Sequence, residues 1–223
     1  MFSNFLKKEY QNLKPLLDYP VSVMGLFILT PVFIVVGIVI KLTSQGPVFY
    51  TQERVGRGGR LFEIIKFRTM YVDAESKTGP IWAGRNDPRI TLFGRFLRKT
   101  HIDELPQLIN VISGDMSIIG PRPERPFFVQ EFKENIRGYA RRLTIKPGIT
   151  GLAQCCHKYD ETIQDVRSKL SYDVLYIKKM CLLLDIKILL LTLKVSILGA
   201  VAQEPLRLHM TERSERAVPA TAA

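Results

Sequence analysis

Residues 21–40 form a run of 20 residues without a charged side chain, with Pro31 near its centre. At about 1.5 Å rise per residue, a straight helix of that length matches the ~30 Å hydrocarbon core of a bilayer. Backbone polar groups in lipid must be satisfied within the segment, so the run is helical wherever it lies in hydrocarbon. Pro31 has no N–H to donate, and its ring crowds the carbonyl four residues back, so the helix kinks or breaks there. Thr30, just before it, offers a hydroxyl to a freed carbonyl.

The flanks bear on whether the segment crosses or turns back. Lys7, Lys8 and Lys14 precede it; Lys41, Arg54, Arg57 and Arg60 follow within 20 residues. Lys/Arg excess marks the cytoplasmic side of a span, and three against four gives no such bias. A kinked spanning helix and a hairpin with both ends on one side therefore remain open. A signal peptide fits poorly: the run is too long for an h-region, starts about 20 residues in, and has no A-x-A site after it.

The rest of the 223 residues suffices for one globular domain. Lys and Arg number 32 against 21 Asp and Glu, a net charge of +11, which points to anionic partners. Nucleic acid is disfavoured, because the basic stretches lack interleaved aromatics and any recognised binding motif. Cys155, Cys156 and Cys181 give neither a disulfide framework nor metal-ligand spacing, which suits a reducing compartment.

The pattern predicts an α+β, mainly helical fold. Residues 1–20, with Phe2, Phe5, Leu6, Leu13, Leu16 and Leu17 among lysines, read as a surface-lying lead-in. Val48–Gln52 and Leu61–Met70 read as a β-hairpin turned by Gly56, Gly58 and Gly59. Residues 71–90 are loop-like. Residues 91–99 form a basic amphipathic helix, with Leu92, Phe93, Phe96 and Leu97 apolar and Arg95, Arg98 and Lys99 opposite. His101–Ile112 reads as one helix with Pro106 in its first turn, Phe127–Arg142 as another, and Ile163–Leu198 as mostly helix interrupted by charges. The expected organisation is a membrane unit over 1–42, a cytoplasmic or interfacial catalytic domain over 43–203 and a disordered tail over 204–223.

The chemistry centres on Asp103-Glu104. Arg95, Arg98, Lys99 and His101 precede the pair, and Arg122 and Arg125 follow beyond a Gly/Pro loop. Two carboxylates among cations suit a divalent metal with bound phosphates, and arginine forks grip phosphate oxygens at two points. Side chains adjacent on a helix diverge by about 100°, so the two carboxylates have different tasks. A bare Asp-Glu pair is also an ordinary solvated helix start, and Asp160-Glu161 is a second one. His101, His157 and His209 have no partner pattern, and the glycines of RVGRGGR (54–60) carry no phosphate-loop fingerprint.

The stretches IIKFRTM (64–70), LRKTHIDELPQLINVISGDMSIIGPRP (97–123), PGITGLAQ (147–154) and DIKILLLT (185–192) closely resemble the bacterial sugar transferase family, the monotopic phosphoglycosyl transferases. The resemblance runs from about Leu13 to Leu198. It implies an enzyme that moves a sugar-1-phosphate from a UDP-sugar to undecaprenyl phosphate, with UMP as co-product, and so initiates exopolysaccharide, capsule or other glycoconjugate synthesis. It implies Asp103 as the nucleophile of a covalent phosphosugar intermediate, Glu104 as its Mg²⁺-linked partner, and both as metal ligands. It places phosphate-gripping arginines at Arg98 and Arg122 and a basic motif at Lys66 and Arg68.

The resemblance also implies a re-entrant helix-break-helix at the bacterial inner membrane, with the catalytic domain facing the cytoplasm. Membrane lipid and downstream glycosyltransferases are the further partners. The family's Ser-Pro break is Thr30-Pro31 here, and its Lys-Arg-x-x-Asp entry motif is Lys14-Pro15-Leu16-Leu17-Asp18. The chain begins just before this segment and reads as a minimal catalytic unit; residues 157–177 resemble relatives in polymer export. The other class of reading is a non-catalytic membrane-anchored adaptor for a glycan assembly complex, which an intact Asp103-Glu104 with Arg98 and Arg122 argues against.

Overall fold

The computed structural model describes residues 2–74, 87–156 and 162–198, side chains from 9 to 196. Asp160-Glu161, His157, His209, the 204–223 tail and the side chains of Phe2, Phe5 and Leu6 lie outside the described residues. The fold is mainly helical with two small sheets.

Helix α1 runs from Phe2 to Thr43, through Pro15, Pro20 and Pro31. The two helices expected on either side of Thr30-Pro31 are one continuous element. Pro31 deprives only the Phe27 carbonyl of its donor. The Thr30 hydroxyl donates to the Leu26 carbonyl at 2.8 Å, one residue before the carbonyl that Pro31 orphans. The stretch Glu9–Thr43 is long and apolar enough to cross a membrane.

Both ends of α1 are tied to the rest of the chain. Near the N-terminal end, Lys14 pairs with Asp185, and Tyr10 and Tyr176 donate to the same carboxylate at 2.7 and 2.8 Å. Asp18 accepts from the Ser117 hydroxyl at 2.6 Å. Lys14 and Asp18 thus hold their anchoring contacts although Pro15 stands between them. Toward the C-terminal end, Val36 and Ile40 are buried with Phe67 and Leu97, and Phe33 meets Phe67 edge-on at 5.1 Å. Burying each large apolar side chain contributes about 1.5–3 kcal/mol. The outward face stays apolar and open, from Leu16 through Phe27 and Ile28 to Leu42.

Strands β1 (Phe49–Val55) and β2 (Leu61–Phe67) form the expected antiparallel hairpin in the register Phe49↔Phe67 to Val55↔Leu61. Gly58 and Gly59 supply the positive φ values of its turn. Helix α2 (Leu92–Thr100) is capped by the Thr91 side chain, which accepts from the Gly94 N–H at 2.9 Å. Its apolar residues divide: Leu97 is buried, whereas Leu92 and Phe96 are exposed beside Arg95.

The helix expected over His101–Ile112 is two elements, a 3-10 turn Ile102–Glu104 and α3 (Gln107–Ile112), and His101 itself is left-handed and ends α2. Strand β3 (Ser117–Ile119) pairs in parallel with β4 (Gly148–Thr150), a long-range pairing that no local pattern announces. Gly148 permits it: a Cβ there would lie 2.0 Å from the Gly120 nitrogen.

Helix α4 spans Pro126–Asn135 and gives way to a 3-10 segment, Tyr139–Thr144, after Gly138 turns left-handed, so the helix expected to Arg142 is shorter. α5 spans Leu152–Cys156. α6 (Ile163–Lys179) opens with a capping box between Thr162 and Asp165. α7 (Leu182–Leu198) follows a break at Met180 and Cys181. It buries Leu184, Asp185 and Ile188 and leaves Leu183, Leu190 and Leu193 exposed.

Candidate active site

The left-handed turn at His101 swings the chain so that Asp103 is buried and Glu104 faces β2. In a 3-10 turn consecutive side chains diverge by about 120°. The two neighbours accordingly have different partners. Glu104 accepts from Lys66 Nζ at 2.8 Å and from Arg122 Nη1 at 2.9 Å, and Arg122 Nη2 closes the second arm of the fork. Among the described residues none donates a hydrogen bond to the Asp103 carboxylate; it lies in the combined field of Lys66, Arg98 and Arg122.

Three contacts bring the carriers together. Asn110 of α3 acts as an extra strand against β2: its Nδ2 donates to the Glu63 carbonyl at 2.7 Å, and its Oδ1 accepts from the Ile65 N–H at 2.9 Å. This fixes Glu104 opposite Lys66. Arg98, on α2, donates from Nε to the Thr69 hydroxyl at 2.9 Å. Gly94 allows that approach, since a Cβ there would sit 2.1 Å from the Thr69 carbonyl oxygen. Arg122 stands between Pro121 and Pro123, whose rings fix the backbone on both sides.

The electrostatics separate the pair. Burial, then the Glu104 charge, raises the Asp103 carboxyl to about 6 against the opposing pull of Lys66, Arg98 and Arg122. Burial would also raise Glu104, but Arg122 and Lys66 hold it well below the usual carboxylate range. Burial lowers the Lys66 ammonium, with Glu104 opposing. One carboxylate is a fixed anion locked to two cations; its neighbour is an unengaged group that titrates near neutrality. Two carboxyls whose environments push them apart are suited to different steps of one reaction.

The structure thus gathers Asp103, Glu104, Lys66 and Arg122, with Arg98 alongside. It does not bring Arg68 to them. Arg68 donates to the Ser44 carbonyl at 2.9 Å, the Ser44 hydroxyl at 2.8 Å and the Gln45 carbonyl at 2.6 Å, so it holds the end of α1. Thr30 and Pro31 belong to α1. Among the described residues no group of three or more His, Cys, Asp or Glu side chains could hold a metal by itself. Thr69 and Asn110 escape a reading of the sequence, since only the fold shows that they face Arg98 and β2.

The chain matches the family model described as "Bacterial sugar transferase" over residues 9–199. It belongs to the bacterial sugar transferase family. Within this family it is 51% identical over 135 residues to a putative undecaprenyl-phosphate N-acetylgalactosaminyl 1-phosphate transferase of Bacillus subtilis, covering 60% of this chain and 75% of that protein. It is 41% identical over 190 residues to the UDP-N-acetylgalactosamine-undecaprenyl-phosphate N-acetylgalactosaminephosphotransferase of Aeromonas hydrophila, covering 85% of this chain and 45% of the relative. It is 42% identical over 188 residues to the UDP-glucose:undecaprenyl-phosphate glucose-1-phosphate transferase of Xanthomonas campestris, covering 83% and 39%. The match therefore spans less than half the length of these last two sugar transferases.

Proposed function

We propose that the chain is a phosphoglycosyl transferase that moves a sugar-1-phosphate from a UDP-sugar to undecaprenyl phosphate and initiates a cell-surface polysaccharide. The observation that carries this is the buried, unengaged Asp103 beside a Glu104 locked between Lys66 and Arg122. The names of the relatives supply the substrate class.

In the first step an Asp103 carboxylate oxygen attacks the sugar-bearing phosphorus. The bond from that phosphorus to the bridging oxygen breaks, UMP leaves, and an aspartyl phosphosugar remains. In the second, an oxygen of undecaprenyl phosphate attacks the same phosphorus and frees Asp103, giving the diphosphate-linked lipid. Arg122 and Arg98 bring guanidinium groups near Asp103 that would take the oxygens of the donor diphosphate. Glu104 keeps Arg122 and Lys66 in place.

Mg²⁺ fits this donor set, because the two carboxylates offer the hard oxygens that it takes alongside substrate phosphates. Asp103 and Glu104 would hold it, and it would supply neutralisation of the diphosphate charge. The buried charges are pre-oriented around Asp103, so the groups need little rearrangement as charge develops.

α1 supports a membrane placement. Its two ends are fastened to one domain, by Lys14 and Asp18 on one side and by Ile40 and the Arg68–Ser44 contact on the other. We read the segment as entering and leaving the same, cytoplasmic face of the inner membrane, with a bend at Thr30-Pro31. The exposed apolar faces of α1, α2 and α7 then meet lipid. Between α1 and the hairpin lies a groove of about 710 Å³, lined by Leu26, Phe33, Ile38, Phe49 and Ile109 among others, with Lys41 also on its wall. It suits the isoprenoid chain of the acceptor.

The test is UMP release by the purified protein with Mg²⁺, undecaprenyl phosphate and a panel of UDP-N-acetylgalactosamine, UDP-glucose and UDP-galactose. Release that depends on both substrates supports the reading. No release with any donor, while a related enzyme works in parallel, overturns it.

A further inference from the structure

The loop that presents Arg122 is fixed at four consecutive carbonyls. Pro121 O accepts from the Gly148 N–H at 2.9 Å, Arg122 O from Arg142 Nη2 at 2.8 Å, Pro123 O from Arg54 Nη1 at 3.4 Å, and Glu124 O from the Val55 N–H at 3.0 Å. Two of the donors are main-chain groups, of β4 and β1, and a third is the Arg54 guanidinium. Arg142 is the charged, buried donor directed at Arg122 itself.

Arg142 is 4% exposed. Its Nη2 also pairs with Asp173 of α6 at 2.9 Å, its Nη1 donates to the Tyr139 hydroxyl at 2.8 Å, and Glu124 lies 3.8 Å from Nη1. Lys169 reaches the same Glu124 oxygen at 2.7 Å. A buried guanidinium costs several kcal/mol unless fully partnered. Two well-packed apolar residues would join α6 to this loop at less cost. What the charged arrangement adds is direction, because a planar fork holds the Arg122 carbonyl and the Tyr139 hydroxyl at set angles, which a lysine cannot do.

We propose that Arg142 is a positioning residue for phosphoryl transfer, acting through the main chain of Arg122. It rests on α6 through Asp173 and sets where the Arg122 fork meets Glu104 and the donor diphosphate. This rests on the transfer reading above. A displacement of about 1 Å at a catalytic group can cost on the order of a hundredfold in rate. A purely structural role would instead lower stability and leave the turnover of folded protein unchanged.

The experiment is a cycle on the full chain in detergent: wild type, Arg142→Lys, Arg122→Lys and the double variant, each with kcat, KM for the UDP-sugar and thermal midpoint. Arg142→Lys is expected to lower kcat by roughly ten- to a hundredfold, with a smaller change in KM. In the Arg122→Lys background the same change should cost under about twofold, because the group it aims is already blunted. Losses that multiply in the double variant, or a wild-type kcat in Arg142→Lys, would overturn the proposal.

If Arg142→Lys does not fold, Tyr139→Phe removes only one prop of the guanidinium. It should lower kcat several-fold and show the same non-additivity, and unchanged kcat or multiplying losses would contradict the proposal. The cycle is also read on UDP affinity. Coupling there supports the proposal even if the wild type releases no UMP, a result that would sink the transfer reading alone, and independent effects on affinity would contradict it.

Discussion

Arg122 grips Glu104 with both terminal nitrogens, Nη1 on Oε2 at 2.9 Å and Nη2 on Oε1, while Lys66 takes Oε1 from the other side at 2.8 Å. The residue before it in the chain, Asp103, is left without such a grip. That asymmetry is the core of the site.

Replacing Arg122 with lysine keeps the charge and loses the two-point grip. UMP release is expected to fall roughly ten- to a hundredfold, with KM for the UDP-sugar raised. Steady-state kinetics check this, and an unchanged kcat/KM would show that the fork is dispensable.

On the proposed mechanism the attacking form of Asp103 is the anion, and burial with the Glu104 charge raises its carboxyl to about 6. Turnover should therefore be flat above that value and fall about tenfold per pH unit below it. A pH–rate profile of kcat/KM checks this. An acid limb centred near 4 would mean that Asp103 is not raised.

The same shift bears on stability. The folded state binds the Asp103 proton more tightly than the unfolded chain does, so stability drops as pH rises from about 4 to about 6 and stays lower above. Each pKa unit corresponds to about 1.4 kcal/mol, so the cost at neutral pH is at most roughly 3 kcal/mol. Asp103→Asn should abolish release while unfolding at an equal or higher temperature at pH 7.5, and the advantage should shrink toward pH 4. Thermal unfolding at the two pH values decides.

Gly94→Ala should destabilise the fold by about 1–3 kcal/mol or more, because its Cβ would meet the Thr69 carbonyl oxygen at 2.1 Å and the capping Thr91 hydroxyl at 2.7 Å. Arg98 rides on the same helix, so activity should fall further than stability alone explains. Measuring both on one preparation separates the effects.

Much of this was legible in the chain. The apolar run, the hairpin with its glycine turn and the Asp103-Glu104 pair among cations are local patterns, and the structure has all three. The break between residues 91–99 and His101 was legible, but the split of His101–Ile112 into a 3-10 turn and α3 was not. Nor was the parallel pairing of β3 with β4, which joins residues about 30 apart. Arg68 shows the limit most clearly. It stands two residues from Lys66 and shares its charge, yet its guanidinium binds Ser44 and Gln45 while the Lys66 ammonium binds Glu104. Which basic residue reaches Glu104 and which ties down the end of α1 was decided by packing.

The central claim is that Asp103 carries the phosphosugar. The most direct measurement mixes the purified protein with a UDP-sugar that it accepts and Mg²⁺, without lipid acceptor, and follows UMP by rapid quench with peptide mass spectrometry. The account predicts a burst approaching one UMP per active site and a phosphosugar adduct on the peptide containing Asp103. No burst until undecaprenyl phosphate is added, or an adduct on another residue, would contradict it.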